Sequence, residues 1–199
     1  SEGADAPASL ADDVRRLWWA QRDNGDGCNQ AAARLFNEGS GKHRLSAADV
    51  WRKARLAMEG NRQSAVAAAV ELVSPDALPL LKEVNASPSR FLTSRVTVAS
   101  RTRKELVGLA LIKLATTDLD NAAQLLDRKW GPQLSPEERN WIWGVQGKQA
   151  AQRLAPESLG YYARVSRESD LTDDMLAWKA RAALRAGPTP KWDELLSAI

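Results

Sequence analysis

The chain has 199 residues, of which 44% are hydrophobic and 27% charged, with a net charge of +3. That balance suits a folded chain with an ample core and excludes a low-complexity or disordered class. The charge is mild and its signs are interspersed, whereas a nucleic-acid binder is expected to carry a concentrated basic stripe.

A single Cys allows no disulfide within the chain. No apolar run approaches the length of a membrane helix, so no membrane span is expected. No signal-peptide pattern opens the chain, which leaves the compartment to other arguments. The apolar residues are mostly Ala and Leu, which favour helix, and Val, Ile and Thr do not gather into alternating runs. The reading is all-α, with residues 1–10 as a flexible segment and 11–199 as a single helical-repeat domain.

In chain order, Trp18 and Trp19 lie about 100° apart on a helix and cannot both face one seam. The stretch ARLFNEG (Ala33 to Gly39) returns as ARLAMEG (Ala54 to Gly60), both ending on Gly. Between them, Asn37 to Arg44 reads as a mobile loop. Ser46 and Asp49 form a weak capping box. Arg52, Lys53 and Arg55 read as an exposed face. Asn61 is a helix start, and Val66, Val70 and Val73 form a helical stripe. Arg101, Arg103 and Lys104 read as a solvated helix start. The apolar run Leu106 to Ile112 reads as a buried helix.

Thr117 or Asp118 opens the next helix, with Leu119, Ala122, Ala123, Leu126 and Trp130 on one face, and Gly131-Pro132 stops it. Ser135-Pro136-Glu137-Glu138 is a full capping box with Pro at the first helical position. Trp141 and Trp143 are read, like the first Trp pair, as core; the alternative is that one of each pair is exposed and stacks on a sugar or a partner. Thr172 starts a helix whose Met175, Trp178 and Ala182 share a face, with Leu184 widening it. Gly187-Pro188 ends that helix, and Thr189-Pro190 opens another. The total is about nine or ten helices of about 9–17 residues, with short connections.

Trp51 to Gly60 also matches Trp178 to Gly187 in length, in its Trp and in its Gly. A short helix that buries one stripe and stops at Gly is the unit of a repeat array. The expected architecture is a right-handed α-superhelix of stacked antiparallel helices, like tetratricopeptide arrays but irregular.

Chemistry-bearing motifs are scarce. One His and one Cys nearly exclude a zinc site of the usual kind. A Cys28–His43 nucleophile pair would need a coincidence of folding, and His43 reads as a loop residue. No phosphate-cradling Gly motif is present, and no cofactor is expected. Glu157-Ser158 and Glu168-Ser169 are the only Glu-Ser dipeptides. Neither has a substrate-binding frame around it, and no catalytic residue is assigned.

Several stretches resemble the N-terminal α-helical region of the large soluble lytic murein transglycosylases, periplasmic enzymes of Gram-negative bacteria that cleave peptidoglycan. They are Cys28 to Phe36 (CNQAAARLF), Ala54 to Asn61 (ARLAMEGN), Ser135 to Trp143 (SPEERNWIW), and Met175 to Gly187 followed by Trp192, Leu195 and Leu196. The resemblance covers 11–199 and rests on helix-packing motifs.

It implies a fragment without the family's C-terminal lysozyme-like domain. That domain's Gly-Leu-Met-Gln and Ala-Tyr-Asn-Ala-Gly stretches are absent here, so Glu157-Ser158 and Glu168-Ser169 lack the companions of the family's catalytic Glu-Ser. It also implies that Cys28 pairs with a Cys upstream of this chain; the alternative is a buried free Cys. The implied role is periplasmic and non-catalytic: to hold peptidoglycan glycan strands and support the missing catalytic domain. That domain would cleave the MurNAc–GlcNAc bond and leave 1,6-anhydromuramoyl ends. The rival reading is a tetratricopeptide-like adaptor that binds a protein segment. A cut repeat array exposes apolar ends, so self-association is expected.

Overall fold

Ser46 and Ser135 open helices as their spacing predicts. In the computed structural model the Ser46 hydroxyl accepts the Asp49 N–H at 3.2 Å, and the Asp49 carboxylate accepts the Ser46 N–H at 2.8 Å. The Ser135–Glu138 box repeats this at 3.2 and 2.7 Å. Each box satisfies two backbone donors that a helix start leaves without partners. Ser100, Asp118 and Thr172 cap three more helices by accepting the N–H three residues on.

The structure describes residues 6–22, 25–41, 44–94 and 99–187. Among them lie eleven α-helices and no strand: α1 (Ala6–Ala20), α2 (Asp26–Asn37), α3 (Ala47–Glu59), α4 (Gln63–Val73), α5 (Leu78–Ala86), α6 (Pro88–Thr93), α7 (Arg101–Thr117), α8 (Leu119–Leu125), α9 (Pro136–Gln152), α10 (Ser158–Tyr162) and α11 (Asp173–Ala186). Helix α1 begins inside the 1–10 segment. His43, Thr189, Trp192, Leu195 and Leu196 lie outside the described residues.

The chain forms two compact units, divided after Ser87. In the first, α3 and α4 pack as a hairpin, and α1 packs on α2 and α3. Its core holds Trp18, Leu45, Val50, Trp51, Met58, Val66 and Val70. In the second, α9 packs against α7, α8, α10 and α11. The run Leu106 to Ile112 is buried helix, as expected, and Trp130, Trp141 and Trp143 are all buried. The first Trp pair divides instead: Trp18 is buried and Trp19 half-buried, its indole N–H donating to the Asp49 carbonyl at 3.0 Å.

Three expectations are corrected. Arg52, Lys53 and Arg55 are not an exposed face, because Lys53 and Arg55 are buried and Arg52 half-buried. Lys53 Nζ donates to the Trp18 carbonyl at 2.5 Å and the Gln21 carbonyl at 3.1 Å. Asn61 does not start a helix. It takes the left-handed conformation (φ 55°) just past α3, while Gly60 stays at φ −81°. Asn is among the few residues that tolerate this region. The twin heptads therefore end differently, since α2 stops at Asn37, before Gly39.

A second left-handed residue, Leu154 (φ 59°), closes α9 with the same bonds. Arg62 N–H reaches the Ala57 carbonyl and Asn61 N–H the Met58 carbonyl. Ala155 N–H reaches the Ala150 carbonyl and Leu154 N–H the Ala151 carbonyl. This is the six-to-one, five-to-two bonding of a Schellman end.

Cations from later segments cover the carbonyl ends of earlier helices. Lys53 and Arg62 do so for α1, with Arg62 Nη1 at 2.5 Å from the Gln21 carbonyl. Lys129 binds the Leu92 carbonyl of α6 at 2.6 Å, and Arg153 the Thr116 carbonyl of α7 at 2.5 Å. The last carbonyls of a helix lack partners and carry partial negative charge, so a cation there satisfies both demands.

Candidate functional site

A cleft of 470 Å³ in the second unit is lined by Asp120, Gln124, Asp127, Trp143, Tyr161 and Arg164, with Ala123, Arg128, Glu157 and Gly160. Asp118 caps α8, which puts Asp120 in its first turn and Gln124 one turn further. The chain then widens into a π turn at Leu126–Trp130, where the Gly131 N–H reaches back to the Leu126 carbonyl. Only Gly fits at 131, because a Cβ there would lie 2.6 Å from that carbonyl oxygen. The turn is anchored from behind. Trp130 is fully buried, and its indole N–H and Lys129 both donate to the Leu92 carbonyl. Asp127 and Arg128, in the same turn, line the cleft. Such wide turns recur at functional sites.

Tyr161 is positioned by its neighbour. Tyr162 is buried, and its hydroxyl donates to the Met175 carbonyl at 2.6 Å. Its ring packs where Gly147 leaves room, since a Cβ at 147 would sit 2.7 Å from it. The Ser158 hydroxyl donates to the Gly147 carbonyl at 2.9 Å and ties down the start of α10. Below α10, Asn140 braces the following loop by donating to Asp170 at 2.8 Å and accepting the Ser166 N–H at 3.0 Å. Burial alone would raise the Asp170 pKa. The hydrogen bonds from Arg167 and Asn140, with the Arg167 charge, hold it below the usual carboxylate value.

On this frame the Tyr161 and Trp143 rings stack, with centroids 6.0 Å apart and planes at 22°. Trp143 is buried, so the half-buried Tyr161 presents the accessible aromatic surface. The Arg164 guanidinium lies 4.8 Å from the Trp143 centroid and pairs with Asp127. The Tyr161 hydroxyl donates to Asp120 at 3.4 Å, a long bond. Burial first, then the Asp120 and Glu157 carboxylates, raise the Tyr161 pKa, so the phenol keeps its proton at neutral pH. Glu157 and Arg128 make no side-chain hydrogen bond or ion pair among the described residues.

The chain matches no protein-family model and no curated protein.

The cleft's lining offers groups that can bind a polar ligand. An aromatic face takes the C–H side of a pyranose ring, while carboxylates, an amide and a guanidinium take its hydroxyls. Of the residues the sequence singled out, Glu157 lies in this cleft. Glu168 pairs with Lys179. Cys28 is a free, half-buried thiol on α2. No group of His, Cys, Asp or Glu able to hold a metal occurs among the described residues. Sequence reasoning missed Tyr161, Asp120, Asp127 and Arg164. They come from segments with no shared spacing, and the one local signal was that the two tyrosines of the chain are adjacent.

Proposed function

We propose that the chain is a non-catalytic α-superhelical region of a periplasmic lytic murein transglycosylase. It holds peptidoglycan glycan strands beside a catalytic domain that lies outside it. The helix stretches that resemble that family support this reading, and so does the all-helical fold. The observation that carries it is the Tyr161 cleft, an aromatic face ringed by hydrogen-bonding groups.

We propose further that the short capped helices stack as irregular tetratricopeptide-like repeats in a right-handed superhelix. In the full-length protein Cys28 would pair with an upstream Cys, for which a half-buried thiol is suited.

Purified sacculi test the reading. The protein should pellet with them and release no 1,6-anhydromuropeptides, and Tyr161→Ala should weaken binding about tenfold. Release of anhydro products would put a catalytic group within the chain, with Glu157 the first residue to mutate. Absence of pelleting would remove the glycan-holding role and favour the adaptor.

A further inference from the structure

The first unit contains a second cleft that this reading does not use. Helix α2 packs on α1 and α4 packs on α3. Between α2 and α4 a groove of 460 Å³ is left, lined by Asn29, Gln30, Ala33 and Asn37 of α2, and by Ala68, Glu71 and Leu72 of α4, over Trp18. Its volume falls within the range of about 300–1,000 Å³ typical of ligand sites.

We propose that this groove binds a short extended peptide, clamped along its backbone by the Gln30 and Asn37 amides of α2 and held at an ammonium group by Glu71. Asn29, Ala33 and Asn37 follow one another at four-residue spacing, so they share a face of α2. From Asn29 to Asn37 that face runs about 12 Å. An extended chain rises about 3.3 Å per residue, so three or four peptide residues match it. Side-chain amides carry both a donor and an acceptor, as a peptide backbone does. Small residues, Ala33 and Ala68, leave room between the helices for a main chain.

Glu71 is the only charged side chain lining the groove among the described residues, and it is exposed. A cation is therefore the complementary charge. A sugar fits less well, because Trp18 is only 2% exposed and its indole N–H already donates to Asn29 at 3.0 Å. The groove thus offers no open aromatic face, in contrast to the Tyr161 cleft. No polar position recurs along the sequence to announce this site; its polar groups come from two helices that are not neighbours in the chain.

The test is an NMR titration of the full ¹⁵N-labelled chain with N-acetyl-Ala-Ala-Lys-Ala-amide. Its acetyl-lysine counterpart and an N-acetylglucosamine trimer serve as comparisons. The lysine peptide should shift the Gln30 and Asn37 side-chain amides and the Trp18 indole signal. Acetylation of the lysine should weaken binding about tenfold. Glu71→Gln should weaken the lysine peptide equally and leave the acetylated one unaffected, at an unchanged melting temperature. Leu72→Trp, which fills the groove, should abolish the shifts. The proposal is overturned if those signals do not move at millimolar peptide, if binding ignores the ammonium group, or if the trimer moves them and the peptide does not. Binding to sacculi is read at Tyr161, so either reading can fail without the other.

Discussion

Lys53 shows how a charged residue becomes part of a core. Its ammonium is enclosed by the Trp18 and Gln21 carbonyls and lies 5.8 Å from the Trp18 ring centroid. Burial lowers its pKa from 10.5 to about 8; the Arg62 charge adds to the drop and Cys28 opposes it. Between those two pH values the unfolded chain keeps a proton that the folded chain has released. Stability should therefore rise with pH across the window. Urea midpoints from pH 7.5 to 10, in a Cys28→Ser background to remove the thiol, should show this rise. Lys53→Met should flatten it. An equal slope in both proteins would show that the ammonium sits in a water-like setting.

Helix ends and helix contacts place opposite demands on side chains. Leu154 takes a left-handed conformation that costs an ordinary L-residue about 1–2 kcal/mol, and its side chain is 67% exposed. Leu154→Asn, which copies Asn61, should stabilise the protein by about 0.5–1 kcal/mol. Gly147→Ala should do the reverse. Its Cβ would meet the Tyr162 ring, which is fixed by its hydroxyl, and overpacking costs about 1–3 kcal/mol. Gly144→Ala should cost less, because its Cβ would meet the flexible ends of Leu171 and Met175. Thermal melts of the three variants give the order. If Gly147→Ala melts no lower than wild type, the contact does not hold α10 in place.

At the scale of the whole molecule, the apolar surface left outside both cores is concentrated at particular points. Leu10 and Leu17, seven residues apart on one face of α1, are 65% and 59% exposed. Leu184 of α11 is 62% exposed although the sequence placed it on the core-facing stripe. Such residues favour self-association. Sedimentation velocity should show a concentration-dependent increase in mass, and Leu10→Ser with Leu17→Ser should reduce it. A monomer at every concentration would remove that expectation.

The sequence alone determined where the side-chain-capped helices begin and where the buried run of α7 lies. Caps and periodicity are local, written within four residues, so the Ser46 and Ser135 boxes, the Thr172 start and the buried run from Leu106 were legible. Tertiary structure decided what each polar residue does. Arg52, Lys53 and Arg55 read as a solvated face because charge alone predicts exposure, but the carbonyl end of α1 offered Lys53 a buried place. The Tyr161 cleft and the α2–α4 groove were equally hidden. Their lining residues meet through packing across 41 residues in the first case, Asp120 to Tyr161, and 42 in the second, Asn29 to Glu71. No local spacing encodes such meetings, because they depend on how helix faces dock and not on the order of residues within one turn.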